Sequence, residues 1–272
     1  MWELNLGFFA ALVSAWALSV ALRSVILESQ PVKPIIMKTP ADFFLLGFLI
    51  SAIAFIVMCF STSVAKFFNE TSHVRLFLPT LFMQFACIGG FFIFRRFLTE
   101  RFKTDIFVNF DVLVKAVKFF VGASAIVFLA NIAVSLTYFW ITGNLPEKQE
   151  VVDIFSQITS PLAFAMATLS IVILAPISEE LIFRGIIYRL LVGLFGDKDG
   201  MSFAISRAKI LAAIVSAILF SLVHADVFVF IPLALMGICL CLVYEKTGSI
   251  VAPMVLHCLF NSINALMIRS FL

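Results

Sequence analysis

Hydrophobic residues run through this chain in blocks of about twenty, the length a helix needs to cross the hydrocarbon core of a bilayer, separated by short polar breaks. The pattern predicts spans near residues 4–22, 41–60, 76–94, 119–141, 162–195, 209–225, 228–244 and 250–268. The fold class that follows is all-α integral membrane, a polytopic bundle of about eight transmembrane helices forming a single membrane domain over 1–272. The fifth block is long and carries charges, which predicts a long tilted helix or a span with an amphipathic extension. The first block opens Met1, Trp2, Glu3 with no basic stretch before it, so it reads as a retained span and not as a cleaved signal peptide.

Composition agrees with that pattern. Of 272 residues, 62% are hydrophobic and 13% are charged, against about half and about a quarter in soluble domains. The net charge of +3 is spread among loops with no long basic run, which argues against nucleic acid as a partner. Cys59, Cys87, Cys239, Cys241 and Cys258 all fall in apolar blocks without CxxC spacing, and read as packing residues.

Basic residues between spans indicate orientation. Fifteen lie in one alternate set of loops, among them Arg95, Arg96, Lys115, Lys118, Lys209 and Lys246, and four lie in the other. With eight spans, both termini fall outside the cytoplasm.

Ionisable groups held at membrane depth are functional candidates. Most acidic residues lie in loops or at span ends; Glu179 and Glu180 stand inside an apolar stretch, Ile173 to Gly185. Of three histidines, His224 and His257 lie in or beside apolar helices, while His73 falls in a polar loop. Residues four apart share a helix face, which sets Glu180 beside Arg184 and His257 beside Asn261. Glu179 is rotated by about 100° from Glu180 and can point elsewhere. A glutamate and a histidine with water between them make a general base, and an imidazole with a carboxamide can donate to a developing oxyanion. Measured from helix ends at 195 and 209, Glu179 and His224 lie at similar depths, roughly 23 Å at about 1.5 Å per residue. His257 lies only roughly 10 Å from position 250 by the same measure.

The plainer reading of each residue is structural. An intramembrane histidine, a Glu–Arg pair or an asparagine can simply join helices, and Gln84 and Asn131 read as packing residues of that kind. Asp226 suits a turn between helices. Gly237, Gly248 and Pro253 suit close packing, a C-cap and a first-turn proline. The sequence contains no HExxH, no GxGD, and no GxSG paired with a distal histidine.

Taken together, the residues resemble the CPBP group of intramembrane proteases (the Abi family), which comprises CAAX prenyl endopeptidases and bacteriocin-processing or immunity-related membrane proteins. Three motifs carry the resemblance, in order: Glu179-Glu180-Leu-Ile-Phe-Arg184, Phe220-Ser-Leu-Val-His224 and His257-Cys-Leu-Phe-Asn261. It covers a core at 162–268, leaving 1–160 as accessory N-terminal transmembrane helices. The resemblance implies a glutamate-type intramembrane endopeptidase in which Glu179 and His224 activate water. Glu180 and Arg184 would orient the site, and His257 and Asn261 would stabilise the oxyanion. It implies no cofactor, although a carboxylate with two histidines is also a chemically reasonable zinc set. The expected partners are the lipid bilayer and a membrane-embedded or lipidated polypeptide substrate, and modest size without extra domains points to a bacterial cell membrane. Two other classes fit the same residues: a non-catalytic scaffold or immunity factor held together by the motif side chains, and a proton-coupled transporter using a buried Glu–His pair.

Overall fold

The computed structural model describes residues 73–97, 106–147, 149–196 and 206–271, together with Val32. The expected spans at 4–22 and 41–60 lie outside the described residues. Among the described residues every regular element is helical: α1 (His73–Phe97), α2 (Phe110–Thr142), α3 (Glu150–Gln157), α4 (Pro161–Leu194), α5 (Arg207–Leu222), α6 (Phe230–Thr247) and α7 (Val251–Phe271).

Local chemistry sets several of these ends. The Asn109 side chain accepts the Val112 N–H at 2.8 Å and starts α2 nine residues before the expected span at 119. Lys115 and Lys118, assigned to a loop by their charge, therefore lie in a helix, where Lys115 pairs with Asp111 one turn back. Ser160 caps α4 ahead of Pro161, whose missing N–H costs nothing in a first turn. His73, expected in a polar loop, begins α1.

Five of these helices have segments long and apolar enough to cross a membrane: His73–Phe92, Phe110–Thr142, Pro161–Leu194, Phe230–Thr247 and Val251–Ser270. The hydropathy pattern predicts six blocks over the same residues. The difference is α5, whose 16 residues reach about 24 Å at about 1.5 Å per residue, short of the hydrocarbon thickness. It stops at Leu222 because the chain turns there, with Ala225 in the left-handed region at φ 52°.

The chain forms two compact units that interleave along the sequence. It passes from one to the other within α4 after Ile182 and within α7 after His257.

The first unit holds Val32 and described residues 106–147, 183–196 and 206–257. In it α6 packs on both α5 and α2. Small buried residues on the facing helices, Ala212 and Ala217 of α5 and Ala116 and Ala123 of α2, let backbones approach where lipid gives no hydrophobic drive to helix pairing. The outer side of α2 exposes Val117, Val121, Phe128, Ile132 and Leu136, surface suited to acyl chains. Trp140, 85% exposed near its C-terminal end, suits the membrane–water interface. Asn131 is exposed on this helix, without the packing role expected of it among the described residues.

Charge is buried in the same unit. Glu245 accepts hydrogen bonds from Tyr188 Oη at 2.7 Å and Lys209 Nζ at 2.9 Å, and all three side chains are buried. Lys246 is buried too. The expectation that 245–249 is a polar loop is thus corrected: Glu245 and Lys246 belong to the last turn of α6. The following turn is also buried, with Gly248 at φ 68° closing the helix, the conformation that glycine adopts without steric cost. Ser249 Oγ donates to the Phe107 carbonyl at 2.6 Å.

The second unit holds described residues 73–97, 149–182 and 258–271. Val74 and Phe77 of α1, Phe155 and Ile158 at the end of α3, and Ala163 and Ala167 of α4 form its core. Gln84 performs the packing role expected of it: its Nε2 donates to the Ser170 carbonyl, and Ser170 Oγ donates back to its Oε1 at 3.1 Å.

Candidate active site

The helix carrying the first motif changes its pitch twice. Within α4, Leu169–Leu174 and Phe183–Tyr188 are π-helical turns, which redirect backbone carbonyls away from the α ladder and are frequent at functional sites.

In the second unit, the first wide turn has an identifiable cause. The Ala175 N–H bonds back five residues to the Ser170 carbonyl. In that register the partner of the Ile171 carbonyl would be the nitrogen of residue 176, a proline without an N–H. Asn261 Nδ2 donates to the Ile171 carbonyl instead, at 2.8 Å. One amide hydrogen of Asn261 thus supports the helix, and its second amide hydrogen is a separate donor. Glu179 and Glu180 follow in the α-helical stretch Ala175–Ile182, Glu179 half-buried and Glu180 fully buried.

In the first unit, the second wide turn contains Arg184. Its carbonyls are met by side chains, the Phe183 carbonyl by Ser216 Oγ and the Gly185 carbonyl by Arg189 Nη1. Arg184 is fully buried. Its Nη2 donates to the Gly237 carbonyl of α6 at 2.9 Å, and its guanidinium carbon lies 4.8 Å from the centre of the Phe220 ring, within the range of a cation–π contact.

Phe220 gathers the remaining groups of this unit. Its ring is completely buried and meets the imidazoles of His224 and His257 at centroid distances of 5.0 and 5.8 Å, both edge-on. A fourth contact, with Phe183 at 5.2 Å, ties the ring back to α4. The sequence-based depths of the two histidines, which differed by more than 10 Å, are thereby corrected, because both flank one ring. That estimate placed position 250 at a membrane surface, whereas Ser249 and Ile250 are wholly buried.

His224 stands just beyond the end of α5, exposed, in a turn rather than inside a span. Its Nδ1 lies 2.8 Å from the Phe220 carbonyl. A carbonyl only accepts, so Nδ1 carries the hydrogen and the neutral ring presents Nε2 as its basic nitrogen. Asp226, expected in a turn, accepts the Phe228 N–H at 2.8 Å. His257 is 5% exposed on the second turn of α7.

The first unit thus brings together Arg184, His224 and His257 around Phe220, one contribution from each motif. Residues 161–263 match the family described as type II CAAX prenyl endopeptidase Rce1-like. This Rce1-like segment spans less than half of the chain, contains all six candidate site residues, and lies on the CAAX endopeptidase side of the resemblance. No curated protein and no solved structure matches the chain.

Within the Rce1-like segment, Glu179, Glu180 and Asn261 belong to the second unit. Among the described residues no group of three or more His, Cys, Asp or Glu side chains is arranged to hold a metal ion. Two contributors escaped the sequence reading. Phe220 was legible only as a motif letter, and the dependence of Ile171 on Asn261 was signalled only by Pro176 inside an apolar run.

Proposed function

We propose that this chain is an intramembrane endopeptidase of the CAAX-processing kind. It hydrolyses a peptide bond of a lipidated or membrane-embedded polypeptide in a bacterial cell membrane, with water as the nucleophile and no resident cofactor. The observation that carries the proposal is the cluster on Phe220, where Arg184, His224 and His257 meet one buried ring within the Rce1-like segment.

The roles follow the motif correspondence. Glu179 and His224 take the water-activating positions, and the Nδ1–H tautomer of His224 suits it, because its Nε2 can accept a proton. Hydroxide adds to the scissile carbonyl to give a tetrahedral oxyanion. His257 and the second amide hydrogen of Asn261 are the donors assigned to that charge. Collapse expels the amine, which takes up the proton removed from water. Glu180 and Arg184 orient and support the site.

The test is cleavage of a fluorogenic farnesylated peptide ending in a CAAX sequence by the purified full chain in lipid nanodiscs. Glu179→Ala and His224→Ala each should lower kcat by roughly 10²–10⁴-fold while elution profile and unfolding temperature stay near wild type. A zinc chelator should leave the wild-type rate unchanged. Full activity in both variants overturns the assigned chemistry. Chelator inhibition reversed by zinc overturns the cofactor-free form, and loss of folding together with activity favours the scaffold reading.

A further inference from the structure

We infer that Gly237 is a positioning residue of the site, holding the Arg184 guanidinium on Phe220 by means of its bare α-carbon and its carbonyl oxygen. The inference rests on the peptidase reading above for its catalytic consequence, but the placement it describes is geometric.

Two features meet at this glycine. Its carbonyl accepts the Arg184 Nη2 hydrogen bond at 2.9 Å. Its missing side chain lets α6 lie against α5: a Cβ there would stand 2.8 Å from Ala217 Cβ, 2.9 Å from Ala217 Cα and 3.4 Å from Arg184 Nη2. The second of those distances is to backbone, so no rotamer change relieves it. Carbon atoms settle at about 3.5–4.0 Å, so a methyl group at 237 forces the helices apart by roughly half an ångström or more.

That displacement falls on the site. Ala217, Phe220 and His224 follow one another at spacings of three and four along the same face of α5 and its end. Pushing Ala217 away therefore moves the ring that both histidines flank, while the carbonyl holding Arg184 moves with α6. Arg184 is fully buried, and a buried guanidinium follows its acceptor, since leaving a charged donor unmet is costly. Gly237 thus fixes Arg184 and Phe220 relative to each other through one close approach.

The experiment combines turnover with a direct view of Arg184. Wild type and Gly237→Ala are compared on the farnesylated CAAX probe, and in 15N-arginine-labelled protein whose Arg184 guanidinium resonance, assigned with Arg184→Lys, is displaced by the ring current of Phe220. Gly237→Ala should lower kcat roughly tenfold to a hundredfold with KM within about twofold. Its Arg184 resonance should move while those of Arg207 and Arg269 stay in place. If Gly237→Ala does not yield folded protein, the Ala217→Gly, Gly237→Ala pair is used. It removes the 2.8 Å contact, retains the 2.9 Å backbone contact and the 3.4 Å approach to Arg184 Nη2, and should show a smaller change of the same kind. An unmoved Arg184 resonance, or a moved one with unchanged kcat, overturns the inference. Wild-type protein that leaves the probe intact overturns the peptidase reading, and a moved resonance then upholds the placement of Arg184 by Gly237 alone.

Discussion

Ala225 adopts φ 52° immediately after His224, a left-handed conformation that costs a residue with a Cβ about 1–2 kcal/mol. That turn ends α5 and leaves His224 as the first side chain past its C-cap, with Nδ1 tied to the Phe220 carbonyl. The strain sits beside a proposed catalytic group, where such conformations tend to be retained. Replacing Ala225 by glycine should raise unfolding stability by up to about 1 kcal/mol, read as a higher unfolding temperature in detergent. A lower unfolding temperature would contradict the left-handed turn. At this scale the sequence named the three motif residues on the Phe220 ring but not the ring's part in holding them. A phenylalanine among 33 in the chain carries no mark of a shared contact.

At the scale of elements, the first wide turn of α4 depends on two residues far apart in sequence. Pro176 removes the N–H that would meet the Ile171 carbonyl, and Asn261 supplies one from α7. Asn261→Ala should therefore cost about 1 kcal/mol of stability, the usual scale for a hydrogen bond between membrane helices. Pro176→Ala should reduce that cost by restoring a backbone donor, and thermal unfolding of the two single variants and the pair measures the coupling. Strict additivity would mean that the two residues do not serve the same carbonyl. Helix type was plain from the apolar blocks, yet helix ends and pitch were not. Charge at Lys115, Glu245 and Lys246 suggested loops, because hydropathy cannot distinguish a charge in water from one met by a buried partner. Lys209 and Tyr188 supply such partners for Glu245.

At the largest scale, membrane residence follows from composition and from the five helices capable of crossing among the described residues, and the chain is an integral membrane protein. The passages of the chain between the two units after Ile182 and after His257 were not legible, because both fall inside a continuous helix, where no change of composition marks them. The depth ruler failed for His257 for a related reason: it took every turn as a membrane surface, and the turn at 247–250 is buried in protein. The motif residues were legible because chemistry restricts which side chains an apolar helix retains.

The central claim is proteolysis by this chain, and mass spectrometry of membrane peptides tests it most directly. Membranes carrying the wild-type chain are compared with membranes carrying equal amounts of folded Glu179→Ala. Proteolysis predicts at least one polypeptide with a new C-terminus in the wild-type sample and its uncut form in the variant sample. Identical peptide termini in the two samples would contradict it.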